Sequence, residues 1–485
     1  MLSSVVRHGA VYTLGAVISR GLSFFLLPLY THALSPAGYG LLDYLTVIGS
    51  LVAVSLALEV SQALGRFLPD RRDDAAGKRS LSSTAVWFTI AVHLLLLALV
   101  TALRDPIAAL LFDKNAVGAA AALPWAAGAY LTNALVNLAR NQLRFELRPK
   151  ASTLVAVVHA AGVLSLTALL LLTAEQPEPA RALLGVIGGG VVASIVGAVL
   201  AWRAISFRFS LHDLRMMLVF STPLVFSSVG VILSQLVDRL IINSYLGLEA
   251  LAPYALAFRV SLVVTLAMVG FQGALTPLIY THHRESGTPG QIATLYRWFV
   301  AMALLLFTGI TLTDRWIIAL IAPLAYAEAE HYVPLLVLSN VVAAMYIFMP
   351  GMGLARRTAM IAAVNLAGAA VNLGLNLVLI PRLGPFGAAL ATLAGASMAF
   401  LGYLYFSQRF YPVPHNWLRL VVSAVAVIAV VLLIDDRTAS DLHAALMSAL
   451  GLLIALAVIH LSGVLRFPEV RDFLRQILRP AAPSA

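Results

Sequence analysis

Cysteine is absent from this chain. Disulfide bonds, thiolate metal sites and cysteine nucleophiles are therefore excluded. Charged residues are scarce as well: they make up 11% of the 485 residues, while 61% are hydrophobic. Because a soluble domain carries about 25% charged residues, this composition indicates a protein that crosses a membrane many times.

Long polar inserts are also missing. The longest polar connections, near residues 66–81 and 281–296, leave no room for a soluble catalytic domain. The sequence contains no glycine-rich phosphate loop ending in Lys-Ser or Lys-Thr, no G-x-S-x-G and no H-E-x-x-H. We therefore expect neither an enzyme nor a protein that depends on a metal or an organic cofactor.

Hydrophobic segments make up most of the chain. Most of them reach the roughly 20 residues that an α-helix needs to cross a bilayer core. The sequence thus predicts an all-α polytopic membrane protein with about 14 transmembrane helices. The fourteen segments are residues 9–31, 40–65, 82–103, 117–139, 151–173, 183–202, 216–246, 253–280, 296–313, 332–354, 358–380, 385–407, 418–434 and 442–463.

Positive charge follows the predicted topology. With a cytoplasmic N-terminus, 23 of the 32 Lys and Arg residues fall on inward segments and 6 on outward loops. This asymmetry predicts that both termini lie in the cytoplasm. The formal net charge of +10 then reflects topology and gives no sign of nucleic-acid binding. The first segment is too long for a signal peptide and carries Arg20 near its middle, so we expect a permanent helix.

A weak internal repeat divides the chain. Arg20 and Arg239 each lie on a predicted outward-going helix, and each precedes a small-residue turn ending at Tyr39-Gly40 or Tyr254-Ala255. Two halves in the same orientation, with the substrate between them, are a transporter architecture. We predict an N-terminal six-helix bundle at 1–210, a C-terminal six-helix bundle at 211–410, appended helices at 411–465 and a cytoplasmic amphipathic tail at 466–485.

Polar residues inside the predicted helices are candidates for a substrate cavity between the bundles. Charge inside a membrane costs about 2.5–3.5 kcal/mol per group on insertion scales, so the few instances carry information. A guanidinium is planar and permanently charged, which suits two-pronged binding of a diphosphate. The candidate cavity residues are Arg20, Glu59, Gln62, Arg66, Asp238, Arg239, Arg259, Asn372 and Asn376.

Internal ion pairing is the alternative for four of these residues. Asp238 is adjacent to Arg239, and Glu59 and Arg66 lie at i and i+7 on one helical stripe. Either pair can hold helices together instead of contacting substrate. A further carboxylate, Asp43, lies at the outer end of the second predicted helix.

Other polar positions have their own alternatives. Arg20 has no acidic neighbour along the sequence, which favours substrate contact. Arg259 lies near the predicted membrane interface, where its side chain can also reach the headgroups. Asn365 shares a stripe with Asn372 and Asn376, and amides on such a stripe can line a cavity or bridge packed helices. His93 and His159 fit hydrogen-bonded packing better than proton relay.

Several short motifs, in order over residues 5–410, carry a family resemblance. They are Ser19–Leu29, Leu34–Gly40, Pro223-Leu224, Asp238-Arg239, Leu246-Gly247, Tyr254-Ala255, Pro277–Tyr280, Asn372–Asn376, Ile380–Gly384 and Gly387–Thr392. In these motifs the chain resembles the Wzx-like oligosaccharide flippases, which are bacterial polysaccharide biosynthesis proteins. That family belongs to the multidrug/oligosaccharidyl-lipid/polysaccharide (MOP) exporter superfamily.

The resemblance implies a V-shaped, two-bundle fold similar to that of the multidrug extruders (MATE) and the lipid II flippases. It implies movement of undecaprenyl-diphosphate-linked repeat units of O-antigen, capsule or exopolysaccharide across the cytoplasmic membrane. It further implies alternating access coupled to H⁺ or Na⁺, in contact with membrane lipids and beside polysaccharide polymerase and export machinery. In lipid II flippases two extra helices shape a groove for the lipid tail, and the pair at 411–465 resembles them.

Three other functions remain open at this stage. A lipid II flippase stays open because of the fourteen-helix count. A multidrug or cation antiporter has the same fold, but a cavity rich in arginine would repel its cationic cargo. A membrane glycosyltransferase or polymerase would need a sizeable outward loop with carboxylates, and the outward loops of this chain are short.

Overall fold

The computed structural model describes residues 18, 21–71, 74–112, 116–265, 275, 279, 283–355, 357–434 and 441–465. Within these ranges the chain consists of helices joined by short turns, and no β-strand occurs. The predicted all-α fold class is confirmed.

Seventeen α-helices are described and numbered in chain order. They are α1 (Leu26–Ala33), α2 (Pro36–Leu56), α3 (Val60–Phe67), α4 (Ala75–Ala102), α5 (Arg104–Phe112), α6 (Ala116–Phe145), α7 (Pro149–Leu172), α8 (Pro179–Leu200), α9 (Leu211–Leu246), α10 (Leu248–Ser261), α11 (Thr288–Ile321), α12 (Ala329–Ala344), α13 (Gly351–Leu354), α14 (Thr358–Leu383), α15 (Pro385–Phe410), α16 (Trp417–Ile434) and α17 (Asp441–Leu461).

Twelve candidate membrane spans lie in the part of the chain that the structure describes. They correspond one to one with twelve of the fourteen predicted segments. Most residues of the predicted segment 9–31 lie outside the described ranges. Segment 216–246 lies within α9, a helix of 36 residues, which is longer than the roughly 20 residues that a span requires.

Local sequence signals fix where several helices begin. Ser35 caps α2, because its hydroxyl accepts a hydrogen bond from the Gly38 backbone N–H at 3.1 Å and Pro36 occupies the first turn. Asp74 caps α4 in the same way through the Gly77 N–H at 2.8 Å. Each cap satisfies a backbone donor that the helix itself leaves unpaired.

The second predicted segment, 40–65, is divided in the structure. Leu58 and Glu59 adopt left-handed backbone conformations, with φ angles of 47° and 52°. Such values interrupt a right-handed helix, so α2 ends at Leu56 and α3 begins at Val60. The hydrophobic pattern is continuous across this break, which is why periodicity alone predicts one helix.

The chain divides into two compact units. Unit 1 comprises residues 1–255, 321–326 and 376–385, and unit 2 comprises residues 256–320, 327–375 and 386–485. Because α9 belongs to unit 1, these units do not follow the predicted bundle boundaries. The two bundles were predicted from a sequence repeat, and a division into compact units does not test that repeat. The bundle boundaries therefore stay a prediction. The predicted amphipathic tail at 466–485 lies outside the described residues.

The interior of unit 1 is built from interlocking helices. Val60 and Leu64 of α3, Leu81 of α4, Leu138 of α6 and Met217 of α9 form one buried cluster. Lipid tails are as apolar as these side chains, so burying them stabilises the protein less in a membrane than in water. Close packing therefore dominates the association of these helices.

Side-chain hydrogen bonds join the starts of α4 and α9 in unit 1. Asp213 accepts hydrogen bonds from Arg71 Nη2 at 2.7 Å and from the Ser80 hydroxyl at 2.6 Å. Burial by itself raises the pKa of the Asp213 carboxyl, but the hydrogen bonds and the positive charge of Arg71 outweigh it and lower that pKa. The carboxylate is therefore ionised at neutral pH and holds the two helix ends together.

Candidate functional site

Unit 1 contains a buried ion pair between Asp43 and Arg239. Arg239 Nε donates to Asp43 Oδ2 at 2.8 Å, and the two side chains are 2% and 1% exposed. Asp43 is on α2 and Arg239 is on α9. Two full charges in such surroundings lose most of their hydration, so their mutual attraction has to offset that loss.

A second carboxylate extends this cluster. Asp238 accepts a hydrogen bond from the Tyr254 hydroxyl at 2.7 Å and another from Asn376 Nδ2 at 2.5 Å. Asp238, Tyr254 and Asn376 are all at most 1% exposed. We call Asp43, Asp238, Arg239, Tyr254 and Asn376 the buried polar cluster; it draws on four helices, α2, α9, α10 and α14.

Backbone geometry brings these helices into contact. Gly247, with a φ of 87°, ends α9 and lets α10 begin at the next residue. A Cβ on Gly40 of α2 would overlap the carbonyl oxygen of Leu248 at the start of α10. The glycine therefore permits backbone contact one turn before Asp43, which places that carboxylate against α9.

The described side chains of the cluster include two carboxylates, Asp43 and Asp238, and one guanidinium, Arg239. The carbonyl oxygen of the Asn376 side chain is also buried and has no hydrogen-bond partner among the described residues. A carboxylate beside such an acceptor would stabilise a bound proton or small cation.

The predicted stripe of Glu59, Gln62 and Arg66 has a different environment. Glu59 has a left-handed backbone and precedes α3 as its N-cap. Gln62 and Arg66 are exposed, and Arg66 pairs with Asp70 at 2.6 Å. An exposed pair of this kind contributes about 0–1 kcal/mol, so the stripe stays a predicted contact surface and is not part of the buried polar cluster.

The remaining candidates are distributed over both units. Arg20 lies outside the described residues. Arg259 is half-buried on the part of α10 that belongs to unit 2. Asn372 is also in unit 2, where its amide Nδ2 lies 3.5 Å from the Thr392 hydroxyl. Of the nine predicted residues, the structure thus brings together Asp238, Arg239 and Asn376, and a role in substrate binding stays a prediction for all nine.

Sequence reasoning misses two members of this cluster. The direct hydrogen bond of Arg239 goes to Asp43, which is 196 residues away, whereas adjacency points to Asp238. The sequence presents Tyr254 only as part of a turn motif. The available signals are that a buried arginine needs a carboxylate partner and that Asp43 follows Gly40 by one helical turn.

The helices and their buried charges define a polytopic membrane protein with a transporter fold. Solved structures support this class. An inward-facing MATE family multidrug transporter of the MOP superfamily has a TM-score of 0.66 at 16% identity, covering 80% of this chain and 94% of that chain. The lipid II flippase MurJ, in an inward closed conformation, has a TM-score of 0.67 at 14% identity, covering 94% and 100%.

A MOP superfamily transporter from Pyrococcus furiosus has a TM-score of 0.57 at 15% identity, covering 84% of this chain and 95% of that chain. The comparison with curated protein sequences gave no match. The family model described as "Polysaccharide biosynthesis protein" matches residues 5–283, more than half of the chain. The chain belongs to this polysaccharide biosynthesis family and has the fold of the MOP superfamily transporters.

Proposed function

We propose that this protein is a flippase that moves undecaprenyl-diphosphate-linked polysaccharide repeat units from the inner to the outer leaflet of a bacterial cytoplasmic membrane. The observation that carries the proposal is the match of residues 5–283 to a polysaccharide biosynthesis family in a chain with at least twelve candidate spans. A membrane protein of such a pathway, whose described helices are joined by short connections, is suited to moving an intermediate across the bilayer.

Physical chemistry explains why such a step needs a protein. A diphosphate bearing several sugars has to lose its hydration to cross a bilayer core, which is prohibitive without assistance. A transporter reduces this cost by enclosing the polar head while the prenyl chain stays in lipid. Alternate exposure of the enclosed head to the two sides then completes the transfer.

Ion coupling is the part of the proposal that rests on the buried polar cluster. Asp238 is buried and accepts hydrogen bonds from Tyr254 and Asn376. Binding of H⁺ or Na⁺ at Asp238 would neutralise its carboxylate and change the interaction between α9, α10 and α14. A carboxylate whose charge changes during the cycle can couple an ion gradient to helix movement.

A lipid II flippase is the second candidate. The MurJ match spans 94% of this chain, while the MATE match spans 80%, so MurJ accounts for more of its helices. Because identities of 14% and 16% show the fold alone, the distinction requires a functional test. A multidrug antiporter has less support, because the family match is to polysaccharide biosynthesis.

Export in cells tests the proposal. A strain lacking the gene should lose its surface polysaccharide and accumulate lipid-linked repeat units in the inner leaflet, and the wild-type chain should restore export. Arg20→Ala should abolish export without preventing membrane insertion. Asp238→Asn should lower export; normal protein abundance with lost export would favour ion coupling, and reduced abundance would favour a packing role.

Two outcomes would contradict the proposal. Normal polysaccharide in the deletion strain, together with arrested wall synthesis, would identify the peptidoglycan precursor as the cargo. Wild-type export by the Arg20→Ala variant would remove that arginine from the substrate site. Neighbouring genes give an independent check, because glycosyltransferases and a polymerase would indicate polysaccharide assembly, whereas wall-synthesis genes would indicate peptidoglycan.

A further inference from the structure

A polar stripe runs along the second half of α6. Asn133, Asn137, Arg140, Asn141 and Arg144 lie at i, i+4, i+7, i+8 and i+11. At about 100° per residue these positions fall within a sector of roughly 100° of the helix surface. Three amides and two guanidinium groups on one side of a membrane helix need water, a ligand or other helices as partners, because lipid offers none.

Neighbouring helices of unit 1 cover the other sides of α6. Gln142 accepts a hydrogen bond from Ser82 of α4 at 3.0 Å, and Leu138 packs in a cluster with Leu81. On the opposite side, Ala139 lies where α8 approaches, so that a Cβ on Gly197 would be 2.7 Å from the Ala139 Cβ. These contacts leave the polar stripe on the side that α4 and α8 do not cover.

Helix α2 covers only the outer end of the stripe side. The Tyr130 hydroxyl donates to the Leu45 carbonyl oxygen at 2.5 Å, and the Tyr130 ring packs on Gly49. Farther along α6, Asn137 and Arg144 are exposed, while Asn133, Arg140 and Asn141 are half-buried. The stripe is therefore accessible at Asn137 and Arg144 and partly covered at its other three positions.

A histidine on the neighbouring helix α7 also has a buried nitrogen without a partner among the described residues. The Ser152 hydroxyl of α7 donates to the Arg140 carbonyl oxygen at 3.1 Å, so α7 lies beside this part of α6, and His159 follows two turns along α7. Arg140 Nε and His159 Nε2 are both buried and have no hydrogen-bond partner among the described residues. Buried polar nitrogens usually have hydrogen-bond partners in folded proteins, so each of these two points to a ligand.

We propose that this face of α6, with His159, binds the polar head of the transported lipid: Arg140 and Arg144 hold the diphosphate, and Asn133, Asn137 and His159 bind sugar hydroxyls. Guanidinium groups bind phosphate oxygens through paired, charge-assisted hydrogen bonds. An amide both donates and accepts, as a sugar hydroxyl does. This assignment replaces the packing role that the sequence suggested for His159.

The order of groups along α6 gives the bound head a direction. Arg144 and Arg140 are near the end of α6 that the charge asymmetry predicts to be cytoplasmic, and Asn133 is about 10 Å deeper than Arg140 at 1.5 Å of rise per residue. The diphosphate would then bind near the cytoplasmic headgroups, where the lipid arrives, and the sugars would extend toward the middle of the membrane. The inference rests on the proposed function, because it assumes a phosphate-linked sugar cargo.

Binding to the purified full-length protein in lipid nanodiscs tests the phosphate part. Farnesyl diphosphate is the lipid probe, and inorganic pyrophosphate tests whether a free phosphate suffices. Arg140→Gln should weaken binding of farnesyl diphosphate by about tenfold or more, as expected for loss of a charge-assisted contact. Lys150→Gln is the matched control, since Lys150 is an exposed cation at the start of α7, and it should bind within about twofold of wild type.

The amide part is tested by comparing binding with export. Asn137→Leu should leave farnesyl diphosphate binding unchanged, because that probe has no sugar, and should lower polysaccharide export. A merely structural role for Asn137 would reduce both, and unchanged export would remove it from the site.

The outcomes separate this inference from the proposed function. If Arg140→Gln binds farnesyl diphosphate as tightly as wild type, the inference is wrong while the proposed function stands. If wild type binds pyrophosphate as tightly as farnesyl diphosphate, the site recognises free phosphate and the lipid assignment is wrong. If wild type binds neither probe, the proposed cargo fails with the inference. Should Arg140→Gln not yield folded protein, Arg144→Gln is judged by the same tenfold and twofold limits.

Discussion

The buried polar cluster shows how a membrane protein keeps ionised side chains inside its helices. Arg239 is 1% exposed, and its charge is compensated by Asp43, whose Oδ2 lies 2.8 Å from the Arg239 Nε. Asp238, the next residue, is supported by Tyr254 and Asn376. Removing one member of such a group costs more than the group contributes as a whole, because it leaves a buried charge without compensation.

Substitution of Asp43 tests how much the buried pair with Arg239 contributes to the stability of the protein. Asp43→Asn should destabilise the protein by about 3–5 kcal/mol, since Arg239 loses its closest carboxylate. Asp70→Asn is the control, because it removes the exposed Arg66–Asp70 pair and should cost about 0–1 kcal/mol. Thermal unfolding of the purified protein in detergent measures both.

Equal melting temperatures for Asp43→Asn and Asp70→Asn would show that the buried pair is not structural. If Asp43→Asn instead keeps its stability and loses export, Asp43 and Arg239 act in transport. Export and stability therefore have to be measured on the same variants.

Helix packing determines whether this cluster can form at all. Gly40 brings α2 against the start of α10, and Gly247 lets α10 follow α9 without a loop. In unit 2, Gly395 of α15 similarly approaches Gly368 of α14, where a Cβ would lie 2.8 Å from the Gly368 carbonyl oxygen. Small residues therefore serve close packing in both units, as expected for helices in lipid.

Adding a methyl group at Gly40 tests the close packing of α2 against α10. Gly40→Ala should separate α2 from α10 and destabilise the protein by about 1–3 kcal/mol, the usual cost of overpacking a tight contact. Gly374→Ala on α14 is the matched control, because nothing lies within 4 Å of the position of its Cβ. This control should be neutral or slightly stabilising, since alanine favours helices over glycine.

Thermal unfolding of the two glycine variants gives the comparison. A Gly40→Ala variant as stable as wild type would mean that the contact with Leu248 is looser than the structure indicates. Loss of export with full stability would instead connect this contact to movement of the helices.

The whole molecule is organised by alternation of short loops and apolar helices. Charge asymmetry predicts which connections are cytoplasmic, and the twelve described spans are consistent with the predicted alternation. Because the natural chain has no cysteine, single cysteines can be introduced without a background signal.

Cysteine labelling in intact cells tests the topology. Glu175→Cys, in the exposed turn after α7, should react with a membrane-impermeant maleimide because this turn is predicted to be periplasmic. Ser286→Cys, in the exposed segment before α11, should react only after the membrane is permeabilised. Labelling of both sites, or the reverse pattern, in intact cells would overturn the predicted orientation.

Composition and periodicity were sufficient for the fold class and twelve of the spans, because an apolar run of about 20 residues has few alternatives in a membrane. They failed where one backbone conformation decides the outcome. The left-handed residues Leu58 and Glu59 divide the second predicted span, although the hydrophobic pattern continues through them.

What the sequence determined by itself was which side chains are charged, how far apart they are along the chain and which helices carry them. Only the tertiary structure decided that Arg239 bonds Asp43 across 196 residues and that Tyr254 and Asn376 enclose Asp238. Likewise, the stripe on α6 becomes a candidate site only because α4 and α8 cover the other sides of that helix. Partner choice depends on distances between helices, and those distances are set by contacts such as Gly40 on Leu248, which no local pattern encodes.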